Sequence, residues 1–139
     1  MDLFLPHLVL LAAGIVNAAY LHWQYLKYMS DARPMTCPLG GKCADVVASP
    51  YGTTWGVKNE RWGLAYYFLI FILTFTYVWQ PSLALFLKIA ILSISGVAVI
   101  FSTYLVVIQF SVLRAYCSWC IAATVINYLI FASELVLLL

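Results

Sequence analysis

The chain has 139 residues, of which 65% are hydrophobic and 9% are charged. An ordinary soluble domain is roughly 45–50% apolar and about 25% charged, so this composition leaves too little polar surface to face water. A lipid bilayer suits such a chain, and we predict an integral membrane protein in contact with membrane lipid. The net charge of +2 comes without a run of basic residues, which argues against a nucleic-acid partner.

Four apolar stretches follow one another along the chain. We expect transmembrane helices over about residues 3–26, 62–79, 83–110 and 116–139. Each stretch is close to the roughly 20 apolar residues that a span needs. The first opens on Met1-Asp2, which is acidic, so we interpret it as a membrane helix and not as a secretory signal. Short links after the second and third helices favour an all-α, four-transmembrane-helix bundle, a single membrane domain over residues 1–139.

Residues 27–61 form a long polar loop between the first two predicted helices. A connection of this length is unusual in a compact domain unless it carries a function. Within it, Cys43, Val46 and Val47 fall on one helical face, and Pro50 closes the segment. This pattern predicts a short amphipathic half-helix that lies on the bundle.

The four cysteines form two pairs. Cys37 and Cys43 lie in the polar loop, whereas Cys117 and Cys120 open the last apolar stretch. An even number of helices places both pairs at the same membrane face. Residues three apart share a helix face, and a helix N-terminus stabilises a thiolate, so the Cys-x-x-Cys motif is suited to redox exchange. Because loop thiols can meet a protein and bilayer-facing thiols a lipid-soluble acceptor, the pattern predicts an electron relay.

Two other interpretations of the cysteines have to be weighed. A structural zinc site usually combines two Cys-x₂₋₄-Cys knuckles in soluble loops, and the Cys-x₅-Cys spacing of the loop pair does not match it, so we predict no metal. The alternative from a different class is a structural or accessory membrane protein whose Cys37 and Cys43 staple the loop. That interpretation leaves Cys117 and Cys120 unexplained.

The remaining ionisable residues of the apolar stretches have simpler explanations. His7 and His22 lie in the first helix, and we expect them to pack at a helix interface or to hydrogen-bond to a neighbouring helix. Lys88 and Glu134 lie near helix ends on the side without cysteines. We expect both side chains to extend to water there.

Together, these motifs resemble the vitamin K epoxide reductase family in its short prokaryotic form, without a fused thioredoxin-like domain. The resemblance covers nearly the whole chain. It rests on the four helices, the two cysteine pairs, and Ser49, which follows the second loop cysteine by six residues. In addition, the segment from Asn59 to Gly63 is similar to the family's Asn-x-x-x-Gly, whose asparagine hydrogen-bonds the quinone.

The resemblance implies a bundle around a quinone of the ubiquinone or menaquinone type. It implies an enzyme that generates disulfides in a thioredoxin-like partner protein and passes the electrons to the quinone. Cys37 then exchanges with the partner, Cys43 passes electrons to Cys117, and Cys120 faces the quinone, with Ser49 assisting the transfer between the pairs.

One position departs from the animal members of the family. They carry a tyrosine four residues after the second cysteine of the motif, and this chain has Thr124 there. The resemblance therefore implies reduction of a membrane quinone and leaves reduction of an epoxide open. The DsbB-type quinone-linked disulfide oxidases also have four helices and two cysteine pairs, but their Cys-x-x-Cys lies at the end of the first long loop, which does not match this chain.

Two arguments about membrane orientation disagree. The cysteine face carries six basic residues: Lys27, Arg33, Lys42, Lys58, Arg61 and Arg114. The opposite face carries only Lys88. The positive-inside rule therefore favours a multi-pass protein of the cell membrane with its cysteines toward the cytoplasm. Relatives in the family usually place them on the oxidising, extracytoplasmic side, where disulfides persist.

Overall fold

Four long helices carry most of the chain, and each is long and apolar enough to cross a membrane. The computed structural model describes residues 2–139. The long helices are α1 (Phe4–Asp31), α3 (Asn59–Trp79), α4 (Ala84–Ile108) and α5 (Ser118–Leu138). Between α1 and α3 lie the half-helix α2 (Cys43–Val47) and a hairpin of β1 (Thr53–Thr54) and β2 (Val57–Lys58). The predicted all-α membrane bundle is confirmed.

The helix ends differ from the expected ones where polar residues continue a helix past its apolar stretch. Helix α1 continues to Asp31, whose carboxylate lies 3.7 Å from the Lys27 ammonium one turn earlier. Helix α3 begins at Asn59, with Glu60 in its first turn. An acidic residue near a helix N-terminus is stabilised by the helix dipole, so α3 can begin with polar residues before its apolar stretch starts.

The helices form a closed arrangement in which α1 and α4 each pack against both α3 and α5. A buried apolar cluster fills the centre: Leu11, Ala18, Tyr67, Ile70, Ile91, Ile130 and Leu138. Gly14 of α1 faces the ring of Tyr67, and a Cβ atom at Gly14 would lie 2.5 Å from Tyr67 Cε1. The missing side chain therefore lets α1 approach the buried tyrosine closely.

Polar side chains inside the bundle bond to one another across helices, because lipid offers them no partners. Tyr67 donates to Asn127 Oδ1 at 2.8 Å, and the Asn127 amide donates to Ser102 at 2.6 Å. The expectation for the histidines is confirmed. His7 Nδ1 lies 2.8 Å from Ser133 Oγ, and His22 Nδ1 lies 3.1 Å from a Glu60 carboxylate oxygen.

The expectation that Glu134 extends to water is wrong. Glu134 is only 1% exposed, and one of its carboxyl oxygens accepts a hydrogen bond from Ser95 at 2.9 Å. The reason is that Glu134 lies on the face of α5 that packs against α4 and not against lipid. Lys88, by contrast, remains partly exposed.

The loop half-helix and the hairpin lie over the cysteine end of the bundle. Cys43, Val46 and Val47 are buried, as their common helical face predicts. The hairpin turns at Trp55 and Gly56, both of which have positive φ angles. Positive φ angles at both central residues are what a two-residue hairpin turn of type I′ requires.

The close approach of α1 to Tyr67 gives a stability prediction. Gly14→Ala should destabilise the bundle by about 1–3 kcal/mol, because the added methyl group displaces a buried ring. Gly63→Ala is the matched control, since its Cβ atom would lie 3.8 Å from Tyr67 Cε2 and 3.9 Å from Ala18 Cβ, which is ordinary contact. Thermal unfolding in detergent measures both variants. Equal unfolding midpoints for the two would show that Gly14 is not needed for this packing.

Candidate redox site

The loop cysteines form one disulfide. Cys37 and Cys43 are bonded, with their Cα atoms 5.5 Å apart. Cys37 lies in the segment before α2 and is partly exposed, whereas Cys43 begins α2 and is 1% exposed. The two cysteines of one disulfide therefore differ in their access to water, and Cys37 is the more accessible of the two.

The Cys-x-x-Cys motif forms the second disulfide at the start of α5. Cys117 and Cys120 are bonded, with their Cα atoms 5.2 Å apart. Cys117 is the residue that caps α5, and its sulfur accepts a hydrogen bond from the Cys120 backbone N–H at 3.2 Å. Such a position stabilises a thiolate through the unpaired N–H groups and the dipole of the helix. Cys117 is fully buried.

A buried glutamine fixes the entry into α5. Helix α4 ends in a π-helical turn, Gln109–Leu113, and Arg114 then takes a left-handed conformation. The Gln109 side-chain oxygen accepts a hydrogen bond from the Cys117 backbone N–H at 2.9 Å. The sequence predicted only a tight turn here. The available signal for this hydrogen bond was the position of Gln109, a polar residue at the end of an apolar stretch.

The two residues inside the Cys-x-x-Cys motif hold the loop on both sides of Cys37. The Trp119 indole N–H donates to the Thr36 carbonyl at 2.8 Å. The Ser118 hydroxyl donates to the Pro38 carbonyl and lies 3.6 Å from the Cys37 sulfur. We call these two hydrogen bonds the loop clamp. The clamp brings the first cysteine of the loop directly over the start of α5.

A backbone hydrogen bond joins the two cysteine pairs at their buried members. The Lys42 N–H donates to the Tyr116 carbonyl at 2.8 Å, and each of these residues directly precedes a cysteine. Gly41 permits this approach, because a Cβ atom there would lie 2.7 Å from the Cys37 sulfur and 2.9 Å from the Tyr116 ring. Gly41 was not singled out from the sequence, since a glycine next to another glycine is typical of many loops.

Cys43 and Cys117 belong to one buried apolar cluster at this junction. The other buried members are Leu21, Val46 and Val47. A sulfur-to-sulfur exchange between the two pairs would therefore take place out of contact with water. Cys37 and Cys120, the partly buried members of the two pairs, pack against the same cluster.

Cys120 lies on the wall of a cavity of about 480 Å³ beneath the half-helix and the hairpin. The cavity extends between α3 and α4, and its wall is mostly apolar, with residues such as Ile94, Phe101 and Leu105. Its volume lies in the range of roughly 300–1,000 Å³ that is typical of small-molecule sites. An apolar ligand in this cavity would lie next to the deeper cysteine of the motif.

Several polar side chains also line the cavity, among them Asn59, Tyr66 and Glu60. The Asn59 amide donates to the Tyr51 carbonyl at 2.7 Å, and its oxygen accepts a hydrogen bond from the Thr54 hydroxyl at 2.7 Å. An amide nitrogen has two N–H donors, so one remains for a ligand. Nothing in the sequence distinguishes Tyr66, because an aromatic residue in an apolar helix gives no signal of its own.

Ser49 lies just after α2, and its hydroxyl donates to the Val46 carbonyl at 2.6 Å. Within residues 2–139, the hydrogen bond of this hydroxyl is to the half-helix and not to a cysteine. Lys58 also holds the half-helix, because its ammonium donates to the Val47 carbonyl and lies 4.1 Å from the centre of the Tyr25 ring. Burial lowers the pKa of Lys58, and the Glu60 carboxylate partly raises it again.

The fold and the site together define a multi-pass membrane protein with two cysteine pairs that meet at one membrane face. The model of the vitamin K epoxide reductase family matches residues 5–135. The chain therefore belongs to the vitamin K epoxide reductase family, which makes it a membrane oxidoreductase whose redox function uses cysteine pairs. No curated protein matches the chain.

Proposed function

We propose that this protein oxidises the thiols of a thioredoxin-like partner and transfers the electrons to a membrane quinone. One observation carries the proposal: Cys43 and Cys117 share a buried cluster, while Cys120 lies on the wall of an apolar cavity. The accessory-protein alternative, in which the cysteines only staple the loop, does not explain why the second disulfide borders a cavity.

The residues of the cavity fit a quinone. A quinone of the ubiquinone or menaquinone type, when bound, accepts two electrons and two protons. The aliphatic and aromatic wall suits its apolar ring and tail, and the N–H of Asn59 that remains available suits a carbonyl oxygen. The Asn59 amide is already tied to the loop, so binding of a quinone and closure of the loop over it would involve the same residue.

Electron transfer begins with disulfide exchange at the outer cysteine. A thiolate of the partner attacks Cys37, which is the accessible sulfur of the loop pair, and Cys43 leaves as a thiolate. The second thiol of the partner then releases Cys37 and closes the disulfide of the partner. The loop pair is now reduced, and two electrons have moved from the partner to this chain.

The second exchange passes the electrons inward. The Cys43 thiolate attacks Cys117, and Cys120 leaves as a thiolate on the cavity wall. Cys37 then attacks Cys43, which restores the loop disulfide and leaves Cys117 and Cys120 reduced. Reoxidation of this pair releases two electrons and two protons. The N-terminus of α5 stabilises the thiolates that form during this sequence.

Ser49 has a supporting role in this proposal. The family resemblance assigns it to the transfer between the pairs, and its hydrogen bond to Val46 stabilises the end of the half-helix that carries Cys43. A serine at this point can hold Cys43 in line with Cys117 without touching either sulfur.

The function itself is tested with purified protein, a short-chain ubiquinone and a reduced thioredoxin-like protein. We expect one quinol for each partner disulfide formed, because both reactions involve two electrons. Absence of quinol formation with an active partner and quinone would contradict the proposed function.

Single cysteine variants separate the steps. Cys37→Ser and Cys43→Ser should each lower the oxidation of the partner by roughly 100-fold or more, since either change breaks the outer exchange. Both should retain part of the quinone reduction driven by dithiothreitol, because that small thiol can reach Cys120 through the cavity. Cys120→Ser should lose both activities. Wild-type quinone reduction by Cys120→Ser would show that the electrons take another route.

Asn59 is tested together with the threonine to which it bonds. Loss of a hydrogen bond in an apolar cavity costs about 1–3 kcal/mol, so Asn59→Ala should lower kcat/KM for the quinone by roughly 5- to 150-fold. Thr54→Val removes the hydrogen bond between Thr54 and Asn59 but keeps the amide donor, and it should have a much smaller effect. Equal losses in the two variants would mean that Asn59 only ties the loop.

For the orientation, we propose that the cysteine face is cytoplasmic, as six basic residues against one indicate. An alkaline phosphatase fused after Leu139 should then be exported and active. Fluorescence from a reporter that matures only in the cytoplasm, fused at the same point, would place the cysteines on the extracytoplasmic side, as in most relatives.

A further inference from the structure

A chain of hydrogen bonds leads from the cavity wall into the interior of the bundle. Tyr66 lines the cavity, and its hydroxyl donates to Ser95 at 3.1 Å. The Ser95 hydroxyl donates to a Glu134 carboxyl oxygen at 2.9 Å. The three residues lie on α3, α4 and α5. Both links lie within the roughly 2.6–3.2 Å between heavy atoms over which a proton can be transferred.

Glu134 is the unusual member of this chain. The residue is 1% exposed, and its second carboxyl oxygen has no hydrogen-bond partner among residues 2–139. The ion pairs found among residues 2–139 all lie at the cysteine end of the molecule, so no cation neutralises this carboxyl within 4 Å. An ionisable group inside a membrane is costly to bury, and one without a charged partner generally has a function.

The position of Glu134 complements that of the cysteines. It lies four residues, or roughly 6 Å along the axis, before the end of α5 at Leu138, whereas Cys117 and Cys120 lie at the start of the same helix. The chain of hydrogen bonds thus begins at the cavity and continues away from the cysteine face. A proton entering at Glu134 would come from the opposite side of the membrane.

We propose that Glu134, Ser95 and Tyr66 form a proton relay that supplies the quinone cavity from the membrane face without cysteines. The inference rests on the proposed function, because only quinone reduction consumes protons in the cavity. Hydroxyl hydrogens rotate freely, so the same three groups can hand a proton from Glu134 to Ser95 and from Ser95 to Tyr66.

The balance of protons gives the relay a consequence. Oxidation of a partner dithiol releases two electrons and two protons on the cysteine side, and formation of a quinol takes up two electrons and two protons. If the relay supplies these protons, each turnover removes protons from one side and releases protons on the other. Electron transfer would then move protons from the face without cysteines to the cysteine face, which is inward if the cysteine face is cytoplasmic as proposed above.

A second polar chain in the bundle shows what a merely structural network looks like. Tyr67 donates to Asn127, whose amide donates to Ser102, and Ser102 donates to the Ala98 carbonyl. A carboxamide does not readily pass a proton on, and this network ends on a helix carbonyl. Of these two networks among residues 2–139, the one that ends at Glu134 contains a carboxyl group that can store a proton.

Two other titratable groups lie toward the same end of the bundle as Glu134. His7 on α1 bonds to Ser133 and lies 3.4 Å from Thr74, and Lys88 lies two turns before Ser95 on α4. A competing proton source exists at the cysteine face, where Glu60 lines the cavity and is paired with His22. The direction of proton uptake therefore distinguishes the two sources.

The experiment uses proteoliposomes with a trapped pH-sensitive dye, a short-chain ubiquinone, and tris(2-carboxyethyl)phosphine added outside as an impermeant reductant. Only molecules with their cysteines outward are reduced, so the dye reports on the face without cysteines. Potassium and valinomycin remove the membrane potential. We expect the lumen to become alkaline in proportion to the quinol formed, and an uncoupler to abolish this change.

Glu134→Gln keeps the shape of the side chain and an acceptor for Ser95 but cannot carry the proton. It should abolish luminal alkalinisation and slow quinol formation by roughly 100-fold. Glu134→Asp should recover part of both signals. Ser133→Ala, a change at the neighbouring serine outside the relay, should retain both. The infrared band of a protonated carboxyl should disappear in Glu134→Gln, which tests the proton site independently of turnover.

Each outcome decides between the proposals. Quinol formation without luminal alkalinisation in the wild type would overturn the relay, place the proton source at the cysteine face, and leave the proposed function intact. Wild-type alkalinisation in Glu134→Gln would also overturn it. Absence of quinol formation in every sample would overturn the proposed function and the relay with it.

Discussion

The site depends on the docking of the loop onto the start of α5. The loop clamp holds the residues on either side of Cys37, and the hydrogen bond from Lys42 to Tyr116 fixes the approach of Cys43 to Cys117. Each of these hydrogen bonds ends on a backbone carbonyl, so the docking depends on chain geometry as much as on side-chain identity. Loss of this docking would leave two disulfides that cannot exchange.

In the proposed path, the docking also sets the order in which the four sulfurs react. Burial is complete for Cys117 and nearly so for Cys43, whereas Cys37 is partly exposed and Cys120 lies on the cavity wall. A thiol in an apolar, water-free environment reacts only with a sulfur held next to it. The arrangement therefore favours electron transfer along the proposed order Cys37, Cys43, Cys117 and Cys120, and it suppresses side reactions with other thiols.

The sequence was sufficient for the bundle and for the half-helix. The apolar stretches are long and unambiguous, and the common face of Cys43, Val46 and Val47 predicted their burial. It was insufficient for contacts that depend on how helices face one another. Nothing in the spacing of Glu134 shows that its side of α5 packs on α4, and nothing near Gln109 shows a π-helical turn that bonds to Cys117.

Exchange between the buried cysteines is tested most directly by trapping it. In the double variant Cys37→Ser/Cys120→Ser, only Cys43 and Cys117 remain, and mild oxidation should join them in a disulfide that peptide mass spectrometry identifies. The complementary variant Cys43→Ser/Cys117→Ser should form little of the corresponding bond between Cys37 and Cys120. Efficient formation of that second bond, together with failure to join Cys43 and Cys117, would contradict the proposed path.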